Sequence, residues 1–273
     1  MGRRQHSGLV QKKSLGQVFL NTDWPVQKVV DRLQEWGVRR TIEIGPGPGI
    51  LTRALLEAGF DVTAVERDDR FVERLADYKR ARGDNLKGKL EIVGEDVLKF
   101  DLEAWVGSSH EPAAVCGNIP YNISSPILMW ALPHLPQLKG INFLTQLEFA
   151  ARLAGQVGTK AYGSLSVFAQ LRAKVTMDCK VDRSCFTPVP KVDSALVSLK
   201  PKSIGISDEL LKQVETLTRG AFTQRRKILK NAISQFLSEE DLIKNCPIDL
   251  NRRPDSLRPE EYVQIAKYIF DNR

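Results

Sequence analysis

The chain is poor in the residues that build metal centres: four cysteines and three histidines among 273 residues. Cys116, Cys179, Cys185 and Cys246 show no C-x2-C spacing, and His6, His110 and His134 are scattered. No metal is therefore expected, and the thiols read as free or buried. No apolar run approaches the roughly 18 residues of a membrane span. Arg3, Arg4, Lys12 and Lys13 are followed by no long apolar segment, so a secretory signal is not expected and the cytoplasm is the default location. Internal repeats and low-complexity tracts are also missing, which excludes solenoid architectures. Acidic residues are in the minority, 33 against 40 Lys and Arg, and the resulting net charge of +7 favours a polyanionic partner.

What is present is an alternation of short β-like runs with helical stretches. A helix with the stripe Val26, Val29, Val30 and Leu33 precedes strands at Thr41–Ile44, Asp61–Val65, Leu90–Val93, Ala113–Cys116 and Ile141–Thr145, with helices through Leu51, Leu55 and Leu56 and through Phe71, Val72 and Leu75 between them. This pattern predicts an α/β fold with a parallel sheet covered by helices on both faces. Ala173–Val181 and Ala195–Leu199 would close it as an antiparallel pair, giving a Rossmann-like sheet of seven strands. After Lys200-Pro201-Lys202 only helical stripes remain: Leu210, Leu211, Val214 and Leu217; then Ile228, Leu229, Ile233 and Phe236–Leu237; then Tyr262, Ile265, Ala266 and Ile269. The expected division is a domain over 1–202, opening with a basic arm over 1–20, and a small all-α domain over 203–273. Arg219, Arg225, Arg226, Lys227 and Lys230 form an uninterrupted basic segment in that domain. It reads either as a solvated helix face or as an RNA-backbone contact.

Ile42-Glu43-Ile44-Gly45-Pro46-Gly47-Pro48-Gly49 is a strand entering a turn that opens a helix, and its glycines allow positive φ and close approach of a ligand. Glu66 ends the next strand, where a carboxylate could accept both hydroxyls of a ribose. The spacing fits a methyltransferase cofactor site, a dinucleotide site or a plain strand-to-helix turn. A strict G-x-G-x-x-G would need glycine at position 50, which is Ile50. Asp96, at a third strand end, could accept from a cofactor's adenine amine or could simply cap a helix.

Cys116-Gly117-Asn118-Ile119-Pro120-Tyr121-Asn122 follows an apolar strand. The lone pair of an exocyclic adenine amine is delocalised into the ring, which makes the amine a poor nucleophile. An acceptor that grips its N–H groups in a more tetrahedral geometry localises that pair. The Asn118 oxygen and a main-chain carbonyl near Ile119-Pro120 could do this, Pro120 stiffening the backbone and Tyr121 offering a stacking face. Phe186, ahead of two prolines, could cover the opposite face of an extruded base or belong to the core.

These segments resemble the KsgA/Dim ribosomal RNA adenine dimethyltransferases. The matching stretches are Lys-Lys-Ser-Leu-Gly-Gln-Val-Phe-Leu (12–20), Glu-Ile-Gly-Pro-Gly (43–47), Gly-Asn-Ile-Pro-Tyr-Asn-Ile-Ser-Ser-Pro (117–126), Ala-Tyr-Gly-Ser-Leu-Ser-Val (161–167), Phe-Thr-Pro-Val-Pro-Lys-Val-Asp-Ser-Ala (186–195) and Arg-Gly-Ala-Phe-Thr-Gln-Arg-Arg-Lys (219–227). The resemblance implies an enzyme that uses S-adenosyl-L-methionine to dimethylate N6 of two adjacent adenosines in the 3′-terminal hairpin of 16S rRNA, within an immature small ribosomal subunit. It puts cofactor contacts on Gln17, Val18, Leu20, Gly45, Gly47, Glu66, Asp96 and Asn118, and the base pocket on Asn118, Pro120, Tyr121 and Phe186. Beside such a base-handling motif the basic segment is expected to contact the RNA backbone, and a monomer is the default. Two positions depart from the family pattern. Val18 stands where the family usually has Asn, so only main-chain contact could persist there, and Leu147 stands where a Lys is common. Erm-type large-subunit rRNA methyltransferases, and a non-catalytic rRNA-binding assembly factor, are the alternatives.

Overall fold

The computed structural model describes residues 17–203, 205–236 and 245–271. Arg3, Arg4, Lys12 and Lys13 of the expected basic arm, and Leu237, lie outside them. The chain forms two compact units, residues 1–150 with 176–201 and residues 151–175 with 202–273.

In chain order the elements of the first unit are β1 (Phe19–Leu20), α1 (Trp24–Glu35), β2 (Arg40–Ile44), α2 (Ile50–Glu57), β3 (Asp61–Val65), α3 (Asp69–Arg82), β4 (Leu90–Val93), α4 (Leu102–Gly107), β5 (Ala113–Asn118), α5 (Ser124–Ala131) and β6 (Gly140–Gln146). Helix α6 (Leu147–Leu153) and helix α7 (Ser164–Arg172) follow, then β7 (Ala173–Val181), β8 (Phe186–Thr187) and β9 (Ser194–Pro201). Seven strands make one sheet in the order β4-β3-β2-β5-β6-β9-β7, with β2, β3, β4, β5 and β6 parallel and β9 antiparallel to β6. The central strands β2, β3 and β5 are buried along almost their whole length, as expected where helices cover both faces of a parallel sheet.

The register positions the motifs. Ile44 pairs with Val65, Val65 with Val93, and Glu43 with Cys116, so the carboxyl ends of β2 to β5 lie along one edge of the sheet. Strands are added outward from β2 to β4, after which β5 returns to the other side of β2. The turn after β2 and the Asn-Ile-Pro-Tyr segment after β5 thus flank the point where the winding reverses, the usual ligand crevice of such sheets. Close approach at this point depends on Gly117, where a Cβ would sit 2.6 Å from the Ile44 carbonyl oxygen. Gly117→Ala is expected to cost roughly 1–3 kcal/mol by forcing β2 and β5 apart, measured as a lowered urea midpoint with an unchanged slope. An unaltered midpoint would mean that the two strands yield without cost.

The short strands β1 and β8 pair antiparallel, Leu20 opposite Phe186. Nothing in the local sequence marks this pairing, because the two segments are far apart along the chain.

In the second unit, α7 is joined by α8 (Asp208–Thr223), α9 (Leu229–Ala232) and α10 (Pro259–Asp271). Tyr162, Val167 and Leu171 share one apolar cluster with Leu211, Val214, Leu217, Ile265 and Ile269. Residues 151–175 therefore group with the helices after Pro201 rather than with the domain that the sequence reading bounds at 202. A helical stripe shows that a face is buried, not in which core. The stripe from Ile228 to Phe236 is likewise not one helix: it breaks into α9 and a 3₁₀ turn over Ser234–Phe236. Ile228 is extended, and the N–H groups of Leu229 and Lys230 donate to Arg252 and Leu250 carbonyls, which starts a new helix there.

Candidate active site

A cavity opens at the winding reversal, lined by residues 17–20, the turn after β2, Glu66, Arg67, Glu95, Asp96, Asn118, Ile119 and Pro120 among others. Gly45 has φ +60° with open space where a Cβ would project, so its backbone faces the cavity uncovered. Gly47 has φ +53°, and its N–H donates to Glu66 Oε2 at 3.0 Å. The other Glu66 oxygen accepts from the Asp68 N–H at 2.8 Å. Burial raises the Glu66 carboxyl above the usual range, opposed by those two backbone donors. Each carboxylate oxygen retains a lone pair for a further donor, the requirement for holding a ribose diol. Asp96 lines the cavity too, while its carboxylate accepts from the Leu98 N–H at 3.1 Å and pairs with Arg67 at 3.2 Å. The capping role is thus present in the structure, on a residue that also lines the cavity.

The segment 17–20 crosses the cavity as a strap. Gln17 Nε2 donates to Asp68 Oδ2 at 3.0 Å, Phe19 stacks edge-on against Phe71 at 5.3 Å, and Leu20 is held through β8. Val18 contributes through its backbone: Asn118 Nδ2 donates to the Val18 carbonyl at 2.8 Å. The departure at Val18 therefore leaves this contact intact, since the partner is main chain. A carbonyl can only accept, so this bond fixes which end of the Asn118 amide faces the strap. The opposite end, Oδ1, is buried and has no hydrogen-bond partner among the described residues. An acceptor in that state is costly unless a ligand completes it.

Pro120 has φ −57° and ψ 130°, and its carbonyl is already taken by Ser124 Oγ and the Ile123 N–H. Tyr121 is anchored through its hydroxyl, 2.7 Å from Ser194 Oγ, and burial raises its phenol pKa. Neither Tyr121 nor Phe186 lines the cavity. Phe186 is fully buried and belongs to the core cluster with Leu20, Leu144 and Leu196, so the core reading describes its side chain here. Its backbone, paired to Leu20, nevertheless ties the strap down. Sequence reasoning missed Glu43, which is buried in the cavity wall with Oε2 unpartnered among the described residues and with its pKa pushed up to about 8, first by burial. The signal was available, a carboxylate inside an otherwise apolar strand, but it was read only as part of the glycine motif.

The basic segment is sorted by the structure into three kinds of side chain. Arg219 pairs with Glu215 on its own helix at 2.5 Å. Arg225 is engaged inside its unit, with Asp255 and with the Thr159 and Lys160 carbonyls. Arg226, Lys227 and Lys230 are exposed and have no carboxylate partner among the described residues. Arg225, Arg226 and Lys227 lie in the turn after α8, not on a helix face. Among the described residues no group of three or more His, Cys, Asp or Glu could hold a metal, and no helix is long and apolar enough to cross a membrane.

This geometry has counterparts. The ribosomal RNA small subunit methyltransferase A of Shewanella pealeana is 36% identical over 276 residues, covering the whole of both chains. A dimethyladenosine transferase from Plasmodium falciparum superposes with a TM-score of 0.74 at 26% identity, over 90% of this chain and 95% of that one. The 23S rRNA methyltransferase ErmE superposes at 0.67, also at 26% identity, over 92% and 99%. The ribosomal RNA adenine dimethylase family matches residues 8–271. With the glycine turn, the strap and the Asn-Ile-Pro-Tyr strand end all inside that span, the chain belongs to the ribosomal RNA adenine dimethylase family.

Proposed function

We propose that this chain dimethylates N6 of two adjacent adenosines in the 3′-terminal hairpin of small-subunit rRNA, acting as a monomer on the immature subunit in the cytoplasm. The observation that carries the reading is the buried Oδ1 of Asn118, unpartnered among the described residues, in the lining of a cavity suited to a nucleoside cofactor. When bound there, S-adenosylmethionine supplies an electrophilic sulfonium methyl. Glu66 would hold the ribose hydroxyls, Asp96 the adenine amine, and Gly45 and Gly47 the close-lying backbone of the turn, with the strap Gln17–Leu20 across the top.

Asn118 Oδ1 accepts an N–H from the target amine, drawing its nitrogen towards tetrahedral geometry and turning the lone pair to the cavity. Tyr121 provides the stacking face, and its bond to Ser194 keeps the ring from turning. No general base is required, because an exocyclic amine that has gained an alkyl group is cationic and acidic enough to lose its proton to water. After the first transfer one N–H remains for Asn118 to grip; after the second none does. Loss of that hydrogen bond favours release at the dimethyl stage.

The full-length similarity to a small subunit methyltransferase supports this choice over the large-subunit alternative. Tritiated-methyl transfer to undermethylated small subunits and to protein-free large-subunit rRNA, followed by digestion to nucleosides, tests it. The expected product is N6,N6-dimethyladenosine from the small subunit. Label confined to large-subunit rRNA would overturn the reading, and no transfer to either would favour a non-catalytic assembly role.

A further inference from the structure

We propose that Glu43 senses the charge of what occupies the cavity: it gives up its proton to solvent as the cationic methyl donor enters and recovers one when the uncharged thioether product is left, so that the site holds donor in preference to product. The inference rests on the cofactor reading above and goes beyond it by giving the buried acid a part in telling donor from product.

The cavity is opposite in charge to the chain around it. A protein of net charge +7 lines it with four carboxyls, Glu43, Glu66, Glu95 and Asp96, against one basic side chain among the described residues, Arg67. Arg67 is paired with Asp96 at 3.2 Å and is largely exposed. Such a lining favours a cation over a neutral molecule of the same shape. Glu66 is held at both oxygens by backbone N–H groups, and Asp96 is held by Leu98 and Arg67. Glu95 is only partly buried. Glu43 differs from all three, being 1% exposed with Oε2 unpartnered among the described residues.

Its neighbours leave its proton free to respond. Glu43 sits on β2 two residues before Gly45, between Ala64 on β3 and Cys116 on β5. The groups that face it are neutral or acidic: the Thr52 hydroxyl from α2, Glu66 from the end of β3 and the Cys116 thiol from β5. Burial, and then Glu43 itself, keep the Cys116 thiol protonated, so it does not compete for the role. Asp68 and Arg70 act on Glu66 and pair with each other, one step further away. With burial opposed by no cation among these neighbours, the Glu43 pKa stands at about 8. A positive charge ~4–6 Å from a carboxyl lowers its pKa by about 1–3, which carries Glu43 from about 8 across neutral pH. A sulfonium gives the donor a net positive charge. Methyl transfer cancels that charge, and the carboxylate, left buried without a counter-charge, takes a proton from water. The hold on the thioether then weakens, which favours product exchange between successive transfers.

Calorimetric titration of the full-length protein at pH 7, in two buffers of different ionisation enthalpy, counts the protons exchanged. The wild-type chain should release about 0.5–1 proton per S-adenosylmethionine bound and close to none per thioether product. Its donor affinity should rise from pH 6 to pH 8. In Glu43→Gln the release should vanish and the donor affinity should stay flat with pH, about tenfold weaker at pH 7 and weaker still by comparison at pH 8. Thioether affinity should match in the two proteins. Donor binding without proton release, equal release by donor and thioether, or full discrimination kept in Glu43→Gln each overturns the proposal. The wild-type proton count holds whether or not the variant folds. If neither ligand binds, the cofactor reading falls and the proposal with it; if both bind and no proton is exchanged, only the proposal falls.

Discussion

Asn118→Ala is expected to slow methyl transfer by about 10²–10³-fold, the usual effect of deleting one positioned hydrogen-bond partner of a reacting group, while binding to small subunits stays within a few-fold. The substitution removes two things at once. It deletes the buried acceptor Oδ1, which has no partner among the described residues, and it deletes the Nδ2 donor that holds the Val18 carbonyl. The first should lower the rate of the chemical step, and the second should loosen the strap and raise the KM for cofactor. Asn118→Asp separates them. An aspartate keeps an acceptor towards the amine but sets a carboxylate oxygen against the Val18 carbonyl, where two acceptors repel. It should therefore retain more of the single-turnover rate than alanine while binding the cofactor less well. If Asn118→Ala turns over at the wild-type rate under saturating cofactor, the amide grips only the strap and the mechanism given above is wrong.

The elements around this site were largely legible in the sequence because each is coded locally. The runs Asp61–Val65 and Leu90–Val93 are bounded as the structure has them, and the glycine turn, Glu66, Asp96 and Asn118 reach one edge because parallel strands align their carboxyl ends. What stayed hidden depends on contacts between distant segments. The bond between Asn118 and Val18 spans 100 residues, and no periodicity announces it. Phe186 looks like a stacking ring in its motif, yet pairing of β8 with β1 turns it into the core. Arg225 looks like one of several surface cations until Asp255 and two carbonyls claim it. The grouping of 151–175 with the later helices was equally invisible, since an apolar stripe on α7 fits either core. In each case the local code gives an element and its buried face, and tertiary pairing decides the partner.

Glu43 should make the folded protein less stable as the pH rises through the neutral range, and Glu43→Gln should abolish most of that loss. The carboxyl is buried on β2, the strand between β3 and β5, with one oxygen unpartnered among the described residues. Burial pushes its pKa up to about 8 from an unfolded value of 4.5, with the Glu66 carboxylate adding to the rise and Thr52 opposing it. Between those two values the native chain binds a proton that the unfolded chain has released. Stability therefore falls with each unit of pH across the window and levels off above it, by about 1.4 kcal/mol per unit at most and on the order of a few kcal/mol in all. Glu66, also raised by burial, acts in the same direction. Asp68 acts oppositely: held down chiefly by Arg70, its contribution is lost only as the pH drops below the ordinary aspartate range. A glutamine at position 43 resembles the protonated acid in shape and carries no charge to desolvate. Urea unfolding at pH 5, 6.5 and 8 should give near-equal stability for the two proteins at the acid end and a widening advantage for Glu43→Gln towards pH 8. A wild-type curve flat from 5 to 8, or a variant that declines in parallel with it, would mean that water reaches Glu43 and that the floor of the cavity is wetter than its lining implies.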